Sequence, residues 1–259
     1  MTVEIKNSPA YFIAHGSPMN AIANNAFTSK LSKVGENIKA KAIIVISAHW
    51  ETDGTYITGM KDPRTIHDMY GFPEELYNVK YPASGDPDLA KKISEIIPEI
   101  EIDHNKWGLD HGSWSLLVHL KPKAEIPVLQ ISLNKSLTLS QHFEFAKKLL
   151  FLRKEGIAII GSGNIVHNLR EINWTTDATP HPWALEFSNW FKERILEKKF
   201  HEVINSPLSF KAGALSNPSL EHYIPSLYIL ALQDEQENID VIYNEMQNAS
   251  ISMLSFKVG

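Results

Sequence analysis

Five of the eleven histidines in this 259-residue chain stand at the ends of predicted secondary-structure elements. Most of them lie beside glycine or another small residue, which lets the backbone come close to a ligand. Neutral imidazole is the commonest metal ligand in proteins and suits Zn, Fe, Cu and Ni. We therefore expect a single divalent metal ion held by several of these side chains. The five residues are His15, His49, His111, His167 and His222.

Three of these histidines follow apolar runs that predict strands. The run before His49 is β-branched in its middle and too short for a helix, which predicts a strand buried on both faces. After the last run, Gly161-Ser-Gly163 predicts a tight turn into a helix whose first turn carries His167. Because ligands bind where strands end at the carboxyl edge of an open α/β sheet, we expect the three histidines to meet there. The runs and their histidines are 10–14 with His15, 42–46 with His49 and 157–160 with His167.

The elements that must position these residues alternate between strand and helix from residue 10 to 170. This alternation predicts an α/β fold whose mainly parallel central sheet is covered by helices on both faces. Nothing in the composition marks a linker, so we expect one domain over residues 1–259. Further strands are predicted at residues 54–60, 99–102, 126–133, 241–243 and 251–256. Helices are predicted at 21–38, 86–97, 114–120 with Ser113 as its cap, 140–154, 183–198, and 219–232 opening with Glu221-His222.

The overall composition is that of a globular protein. Hydrophobic residues make up 43% and charged residues 21% of the chain, which is enough to form a sizeable core. The net charge of −5 argues against a nucleic-acid partner. No apolar run reaches membrane-spanning length and the first residues lack a secretory pattern, which predicts a cytoplasmic protein with no membrane partner. Cysteine is absent, so nitrogen and oxygen atoms must hold any metal.

Aromatic residues near the histidines are candidates for contacting a substrate. The segment that contains His67, Tyr70 and Phe72 is rich in turn residues and is expected to form a loop that lines a site. Trp114 and Tyr223 lie close in sequence to two of the candidate histidines. Aromatic side chains stack on rings and, in tyrosine and tryptophan, also offer a hydrogen-bonding group. These five residues are therefore candidates for contacting a bound ligand.

Six blocks of sequence lie in one order along nearly the whole chain. They are Ala14-His-Gly-Ser-Pro18, Ser47-Ala-His-Trp50, Asp68-Met-Tyr-Gly-Phe-Pro73, Gly108-Leu-Asp-His-Gly-Ser-Trp114, Gly161-Ser-Gly-x-x-x-His-Asn-Leu-Arg170 and Pro218-x-x-Glu-His222. Together they resemble the class III extradiol ring-opening dioxygenases, specifically the DOPA 4,5-dioxygenase type of the LigB-like superfamily. The resemblance implies a LigB-like, phosphorylase/hydrolase-like α/β fold. It also implies a nonheme metalloenzyme that opens a catechol ring beside its two hydroxyls with O2.

The same resemblance implies roles for the five histidines. By position, His15, His49 and His222 correspond to metal ligands, and His167 is a further ligand or the active-site base. His111 matches a second acid–base histidine. Members of this type have been described with Fe(II) or with zinc, so the resemblance implies one divalent ion per chain, Zn or Fe(II). The implied partners are a small aromatic diol and O2, and both a monomer and a homodimer stay open. With such a substrate, the candidates for stacking on or hydrogen bonding to the ring are His67, Tyr70, Phe72, Trp114 and Tyr223.

Two further questions stay open at the level of sequence. Related members bind iron through two histidines and one carboxylate, so Glu221 is an alternative to His222 as the third ligand. A zinc-dependent hydrolase would use the same histidines to activate water, and a non-enzymatic metal- or ligand-binding protein is a third class, because fold alone does not fix function. His111 and His167 count against a pure binding protein, which needs no acid–base groups.

Overall fold

One eight-stranded sheet forms the centre of the structure, a computed structural model that describes residues 7–259. In chain order the strands are β1 (Ala10–Ala14), β2 (Ala42–Thr52), β3 (Thr55–Thr58), β4 (Ile100–Asp103), β5 (Val128–Asn134), β6 (Ile157–Gly163), β7 (Ile239–Tyr243), β8 (Met246–Gln247), β9 (Ile251–Ser252) and β10 (Ser255–Val258). Across the sheet the order is β4-β3-β5-β2-β6-β1-β10-β7, while β8 and β9 form a separate pair.

The middle of the sheet is parallel, as the sequence predicts. Strands β1, β6, β2 and β5 run in one direction, and the antiparallel strands β3 and β10 flank them. The parallel strands are buried on both faces, which explains why their sequences are continuous apolar runs without alternation. All four point their carboxyl ends toward the same edge of the sheet. The predicted fold class, α/β with a mainly parallel sheet, is confirmed.

Helices cover both faces of this sheet and bury two hydrophobic clusters. They are α1 (Ala26–Asn37), α2 (Glu74–Tyr77), α3 (Pro87–Ile96), α4 (His111–Leu120), α5 (Leu139–Lys147), α6 (Leu150–Lys154), α7 (Pro182–Leu196), α8 (Phe200–Asn205), α9 (Lys211–Ser216) and α10 (Ile224–Ala231). Helices α1 and α4 pack on the face that carries Ile43 and Val45, whereas α3, α5, α7 and α10 pack on the face of Ile44 and Ile46. No helix between residues 7 and 259 is long and apolar enough to cross a membrane.

Three predicted helix boundaries are wrong because local hydrogen bonds end or start the helices elsewhere. The helix expected at 21–38 starts only at Ala26, because the Asn25 side chain accepts from the backbone N–H of Thr28. Asp110, not Ser113, caps α4 in the same way. The helix expected at 140–154 divides into α5 and α6, since the backbone between them switches to i→i−3 hydrogen bonds.

The glycines after residue 160 serve a purpose other than the predicted turn. Strand β6 continues through both of them, and a Cβ added at Gly163 would lie 2.1 Å from the carbonyl oxygen of His222. The glycines therefore allow α10 and the turn before it to approach the strand. No helix follows: His167 instead lies in a bridge to Ile251 ahead of a short 3₁₀ turn. The helix expected at 219–232 also starts later, at Ile224, so His222 precedes it.

Candidate metal centre

Each of the five histidines is held at the carboxyl edge of the parallel strands. His15 follows β1 directly, and His49 lies in β2 where the pairing with β5 shifts register between Ile46 and Glu51. Such a bulge re-aims side chains and is common beside active sites. The other three come from outside the sheet: the first residue of α4, the bridge to β9 and the turn before α10.

The structure brings all five imidazole rings into one cluster. The ring centres of His49 and His111 are 3.8 Å apart, and those of His15 and His49 are 4.9 Å apart. His222 lies 5.1 Å from His15 and 5.0 Å from His49. His167 stacks on His222 at 3.5 Å with nearly parallel planes. Residues that are up to 207 positions apart in the chain therefore share one site.

Hydrogen bonds at Nδ1 fix the orientation of two rings. The Ser162 hydroxyl donates its proton to the carbonyl of Gly112, so it must accept from Nδ1 of His15, 2.9 Å away. The Glu221 carboxylate lies 2.9 Å from Nδ1 of His222 and can only accept when ionised. In both rings Nδ1 therefore carries the proton and Nε2 presents a lone pair.

Asp68 faces the two remaining rings of the inner cluster. Its carboxylate lies 3.0 Å from Nδ1 of His111 and 3.7 Å from Nδ1 of His49, and it also accepts from the backbone N–H of His111. The 3.0 Å contact is poorly aligned for a hydrogen bond, so the interaction with the ring is mainly electrostatic. A negative charge at this position favours a proton on Nδ1 of both histidines, which again leaves Nε2 free.

The donor atoms fit a divalent metal ion. Nε2 of His15 and Nε2 of His49 are 3.2 Å apart, close to the separation of about 3.3 Å that two nitrogens have around a tetrahedral ion with bonds of about 2.0 Å. Nε2 of His222 is buried and finds no hydrogen-bond partner among residues 7–259. In the described part of the chain, residues 7–259, two groups have ligand atoms within 4.8 Å of one another: His15 with His49 and His111, and Glu221 with His167 and His222.

Burial keeps four rings of the cluster neutral. Burial and the neighbouring imidazoles hold the pKa of His15 and of His222 well below the ordinary value. Burial and His111 lower the pKa of His49 to about 3, although Asp68 opposes the shift. Burial lowers the pKa of His167 to about 4. Near pH 7 these four rings are neutral, which is the form that binds a metal.

Four of the five predicted substrate-contacting residues lie in, or pack against, the loop that also carries Asp68. His67 packs against the Trp114 ring at 5.3 Å, and its Nε2 bonds to the carbonyl of Val79. Trp114 is fully buried, and its indole N–H donates to a backbone carbonyl. Phe72 is half-buried in the same loop, while the neighbouring Tyr70 is 92% exposed.

Tyr223 does not fit the prediction that its side chain contacts a substrate. Its side chain is fully buried against Phe187 and Phe191 in the core, and its hydroxyl donates to the carbonyl of Val203. The side chain of Tyr223 therefore points away from the imidazoles although its neighbour His222 points toward them. Adjacent residues in a turn diverge in this way, and the sequence holds no signal for which of the two faces the site.

Sequence reasoning did not assign a role to three polar residues around the cluster. Ser162 orients His15, and Asp68 faces His49 and His111. Asp110, fully buried, accepts from the hydroxyl of Ser47 as well as from the start of α4. Each of the three lies inside a block that carries the family resemblance, and that was the available signal. Their partners depend on contacts that only the folded chain reveals.

Comparison with known proteins identifies the family. The family model described as the catalytic LigB subunit of aromatic ring-opening dioxygenase matches residues 8–255 of this chain. This chain belongs to the LigB family. The 4,5-DOPA dioxygenase extradiol of Escherichia coli K12 is 43% identical over 257 residues, a match that covers 97% of this chain and 94% of that protein.

Two further proteins are similar to this LigB chain along nearly its whole length. The protein named 4,5-DOPA dioxygenase extradiol in Portulaca grandiflora is 31% identical over 271 residues, covering 98% of this chain and 97% of that protein. A crystal structure of an uncharacterized Escherichia coli K12 protein matches with a TM-score of 0.85 and 40% identity, covering 97% of this chain and 100% of that one. The protein is a metal-dependent extradiol dioxygenase that uses an aromatic substrate and O2, and that prediction is confirmed.

Proposed function

We propose that this enzyme opens the ring of a catechol of the DOPA type beside its two hydroxyls, with Fe(II) as the metal. His15, His49 and His222 are the proposed ligands, each through Nε2. The observation that carries the proposal is that Nε2 of His15 and Nε2 of His49 lie 3.2 Å apart. The ring of His222 lies 5.1 and 5.0 Å from those two rings, and its Nε2 is buried without a partner among residues 7–259. The names of the relatives support DOPA as the substrate class.

The choice of His222 over Glu221 follows from their mutual contact. The Glu221 carboxylate accepts from Nδ1 of His222 and from the hydroxyl of Ser219. A carboxylate in this position orients the ring and increases the basicity of Nε2, as carboxylates behind metal-binding histidines do. Glu221 is therefore proposed as a positioning residue and His222 as the ligand.

We assign the general base to His111 because of the charge behind it. Burial works against ionisation of Asp68, but its interactions with His111 and His49 lower its pKa, so this carboxylate is ionised near pH 7. It lies 3.0 Å from Nδ1 and stabilises the imidazolium that forms when Nε2 takes a proton from a catechol hydroxyl. The same proton is then available at Nε2 for return to an oxygen atom of the opening ring.

His167 has a different proposed role. Its ring stacks on His222, and its pKa of about 4 keeps it neutral during turnover. A neutral imidazole at the border of the site orients a substrate oxygen by hydrogen bonding. His15, His49 and His222 would hold the metal ion, which would supply the electron transfer between the catechol and O2, a chemistry that d¹⁰ zinc cannot supply.

Reconstitution with iron tests this function. The metal-free protein is loaded with Fe(II) under anaerobic conditions, and O2 uptake and ring-opened yellow product are then followed in air with a set of substituted catechols. We expect one O2 consumed per catechol opened by the iron-loaded enzyme and none by the zinc-loaded enzyme. Failure to consume O2 with every catechol, or an ester or amide hydrolysis that needs zinc, would refute the proposal.

A further inference from the structure

Asp110 is a fully buried aspartate that stands directly before His111 and has no role in the reaction proposed above. Its carboxylate accepts five hydrogen bonds, which are 2.7–3.3 Å long. Burying a carboxylate costs free energy unless its oxygens are paired, so these hydrogen bonds allow Asp110 to lie in the core. The donors are the hydroxyl of Ser47, the indole N–H of Trp107, the backbone N–H and the hydroxyl of Ser113, and the side-chain amide of Gln130.

The orientation of the Gln130 amide shows that the Asp110 carboxylate acts as an acceptor. Oε1 of Gln130 lies 2.9 Å from the backbone nitrogen of Asp110, which can only donate. The other end of the amide, Nε2, therefore donates to the carboxylate at 2.7 Å. Burial and the charge of Asp68 raise the pKa of Asp110, and the hydrogen bonds from Gln130 and Ser47 oppose that shift. Because Gln130 lies in β5, the carboxylate is fixed to the centre of the sheet.

One of the five hydrogen bonds connects Asp110 to the strand segment that carries His49. The Ser47 hydroxyl donates to Asp110 at 2.8 Å and accepts from the backbone N–H of His49 at 3.2 Å. Both contacts lie in the part of β2 where the pairing with β5 shifts register. The regular ladder of backbone hydrogen bonds is disrupted at such a shift, so side-chain contacts help to fix the backbone there.

The same carboxylate fixes the start of α4, whose first residue is His111. Asp110 caps this helix by accepting from the backbone N–H of Ser113. The second residue of the helix, Gly112, packs against β2, and a Cβ there would lie 2.9 Å from Cδ2 of His49. The start of α4 is therefore in direct contact with the His49 ring, and the ring centres of His49 and His111 are 3.8 Å apart.

We propose that Asp110 is a positioning residue that sets the distance between the proposed base His111 and the proposed ligand His49. It acts on His49 through Ser47 and on His111 through the first turn of α4. The inference rests on the proposed function, because it assigns a support to two histidines that have roles in it. Residues that hold metal-binding histidines in place typically contribute 10- to 100-fold to metal affinity or activity.

Three variants separate positioning from helix capping. Asp110→Ser keeps an oxygen that can cap α4 but is too short to reach Gln130. Asp110→Asn keeps the size of the side chain and the cap, but its amide N–H2 group meets Nε2 of Gln130, which is also a donor. Asp110→Asn combined with Gln130→Glu restores a donor opposite an acceptor and the buried negative charge. Asp86→Ser and Asp86→Asn are the matched controls, because Asp86 caps α3 through the N–H of Leu89 at 2.9 Å.

The measurements are kcat and KM with L-DOPA at saturating Fe(II), and zinc affinity by competition with a chromophoric chelator. We expect Asp110→Ser and Asp110→Asn to lower kcat about 10- to 100-fold with KM within about threefold of the wild-type value. Zinc affinity should fall about 10-fold in both. The double variant should recover to within about fivefold of the wild type in both measurements. The two Asp86 variants should match the wild type.

Wild-type kcat and zinc affinity in Asp110→Ser would show that Asp110 only caps the helix and would overturn the proposal. A double variant no better than Asp110→Asn would overturn it as well. If the Asp110 variants do not fold, Ser47→Ala decides, because it removes the connection to His49 and keeps the cap: a 10-fold loss of zinc affinity supports the proposal, and wild-type affinity overturns it. If the wild type opens no catechol, the proposed function fails, and the zinc affinities still decide the role of Asp110.

Discussion

The hydrogen-bond partner at Nδ1 decides what each imidazole in the cluster does. Ser162 accepts from His15 and Glu221 accepts from His222, while the Asp68 carboxylate lies behind His49 and His111. With the proton held at Nδ1, the lone pair of Nε2 points into the site. The geometry of the proposed ligands therefore depends on polar residues that lie behind the imidazole rings.

Asp68 gives the clearest prediction for a single residue. Asp68→Asn removes the negative charge from behind two histidines and keeps the size of the side chain. We expect kcat to fall about 10- to 100-fold with KM nearly unchanged, because the imidazolium of His111 loses its stabilising partner. Steady-state kinetics of the iron-loaded variant measure both constants. Asp62→Asn, an exposed aspartate before the same loop, is the control, and equal activity of the two variants would contradict the role of Asp68.

The sequence indicates the histidines that we propose as ligands but not the residues that orient them. His15 and His49 stand out because each follows an apolar run of strand type, and such a run ends at a known edge of a parallel sheet. Asp68 lies in a loop whose only local signal is its turn residues. Its partner His111 is 43 positions away, so no spacing rule links the two.

At the level of elements, the contact between β6 and α10 sets the position of His222. A Cβ at Gly161 would lie 2.5 Å from the carbonyl oxygen of Pro225, and one at Gly163 would lie 2.1 Å from that of His222. Both distances are far below van der Waals contact, and the obstructing atoms belong to the backbone. The two glycines therefore determine how close the turn that carries His222 comes to the sheet.

Gly163→Ala is expected to move His222 outward. The new methyl group cannot be accommodated without displacing the turn, so we expect metal affinity to fall about 10-fold or more. Competition with a chromophoric chelator measures this affinity. Gly71→Ala is the control because a Cβ there meets nothing within 4 Å, although its φ of +78° makes alanine somewhat strained. Wild-type affinity in Gly163→Ala would mean that the turn is not positioned by this contact.

A buried ion pair fastens the C-terminal strands to the rest of the sheet. Arg153 in α6 is fully buried and makes two hydrogen bonds to the Glu237 carboxylate, which lies just before β7. Although burial works against ionisation, hydrogen bonds from Arg153 hold the pKa of Glu237 below its ordinary value. The guanidinium also donates to the carbonyls of Ser8 and Leu232, so α6 is linked to three separate segments.

Breaking this pair should cost far more stability than breaking a surface pair. Glu237→Gln leaves a buried guanidinium without its counter-charge, so we expect the free energy of unfolding to fall by about 2 kcal/mol. Glu155→Gln removes the partner of Lys92 in a surface pair and should cost less than about 1 kcal/mol. Urea denaturation of the metal-free proteins measures both values. A loss as small for Glu237→Gln as for Glu155→Gln would show that the ion pair of Arg153 and Glu237 contributes little to stability.

For the whole molecule, the strand order explains why five distant histidines meet. The parallel strands β1, β6 and β2 are neighbours, so all of their carboxyl ends lie at one edge of the sheet. The apolar runs predicted that these strand ends lie at one edge. The start of α10 and the face that each helix covers depend on close contacts between elements, such as the one at Gly163. In the sequence such a contact is visible only as a glycine, which does not say what it contacts. The prediction that His167 lies in the first turn of a helix was wrong for that reason.

Buried neutral histidines also predict how the stability of the whole fold depends on pH. Burial lowers the pKa of His142, which contacts the hydroxyl of Tyr228, to about 4. Between about pH 6.5 and pH 4 the unfolded chain binds a proton at this residue and the folded chain does not, so stability falls as the pH falls.

Substitution of His142 should make the loss of stability in acid smaller. Between pH 7 and pH 4 we expect metal-free His142→Asn to lose about 3 kcal/mol less of its free energy of unfolding than the wild type does. His201→Asn, at a side chain that is 76% exposed, should behave like the wild type. Urea denaturation across this pH range gives the values. Parallel pH curves for the wild type and His142→Asn would contradict the assigned pKa.

Anomalous diffraction at the iron edge, from a crystal of Fe(II)-loaded protein grown without O2, tests the proposed metal centre most directly. We expect one iron peak per chain, within about 2.3 Å of Nε2 of His15, His49 and His222. An iron ion bound by His15, His49 and His111, an iron ion bound by the Glu221 carboxylate, or two separate iron sites would contradict the proposed ligand set.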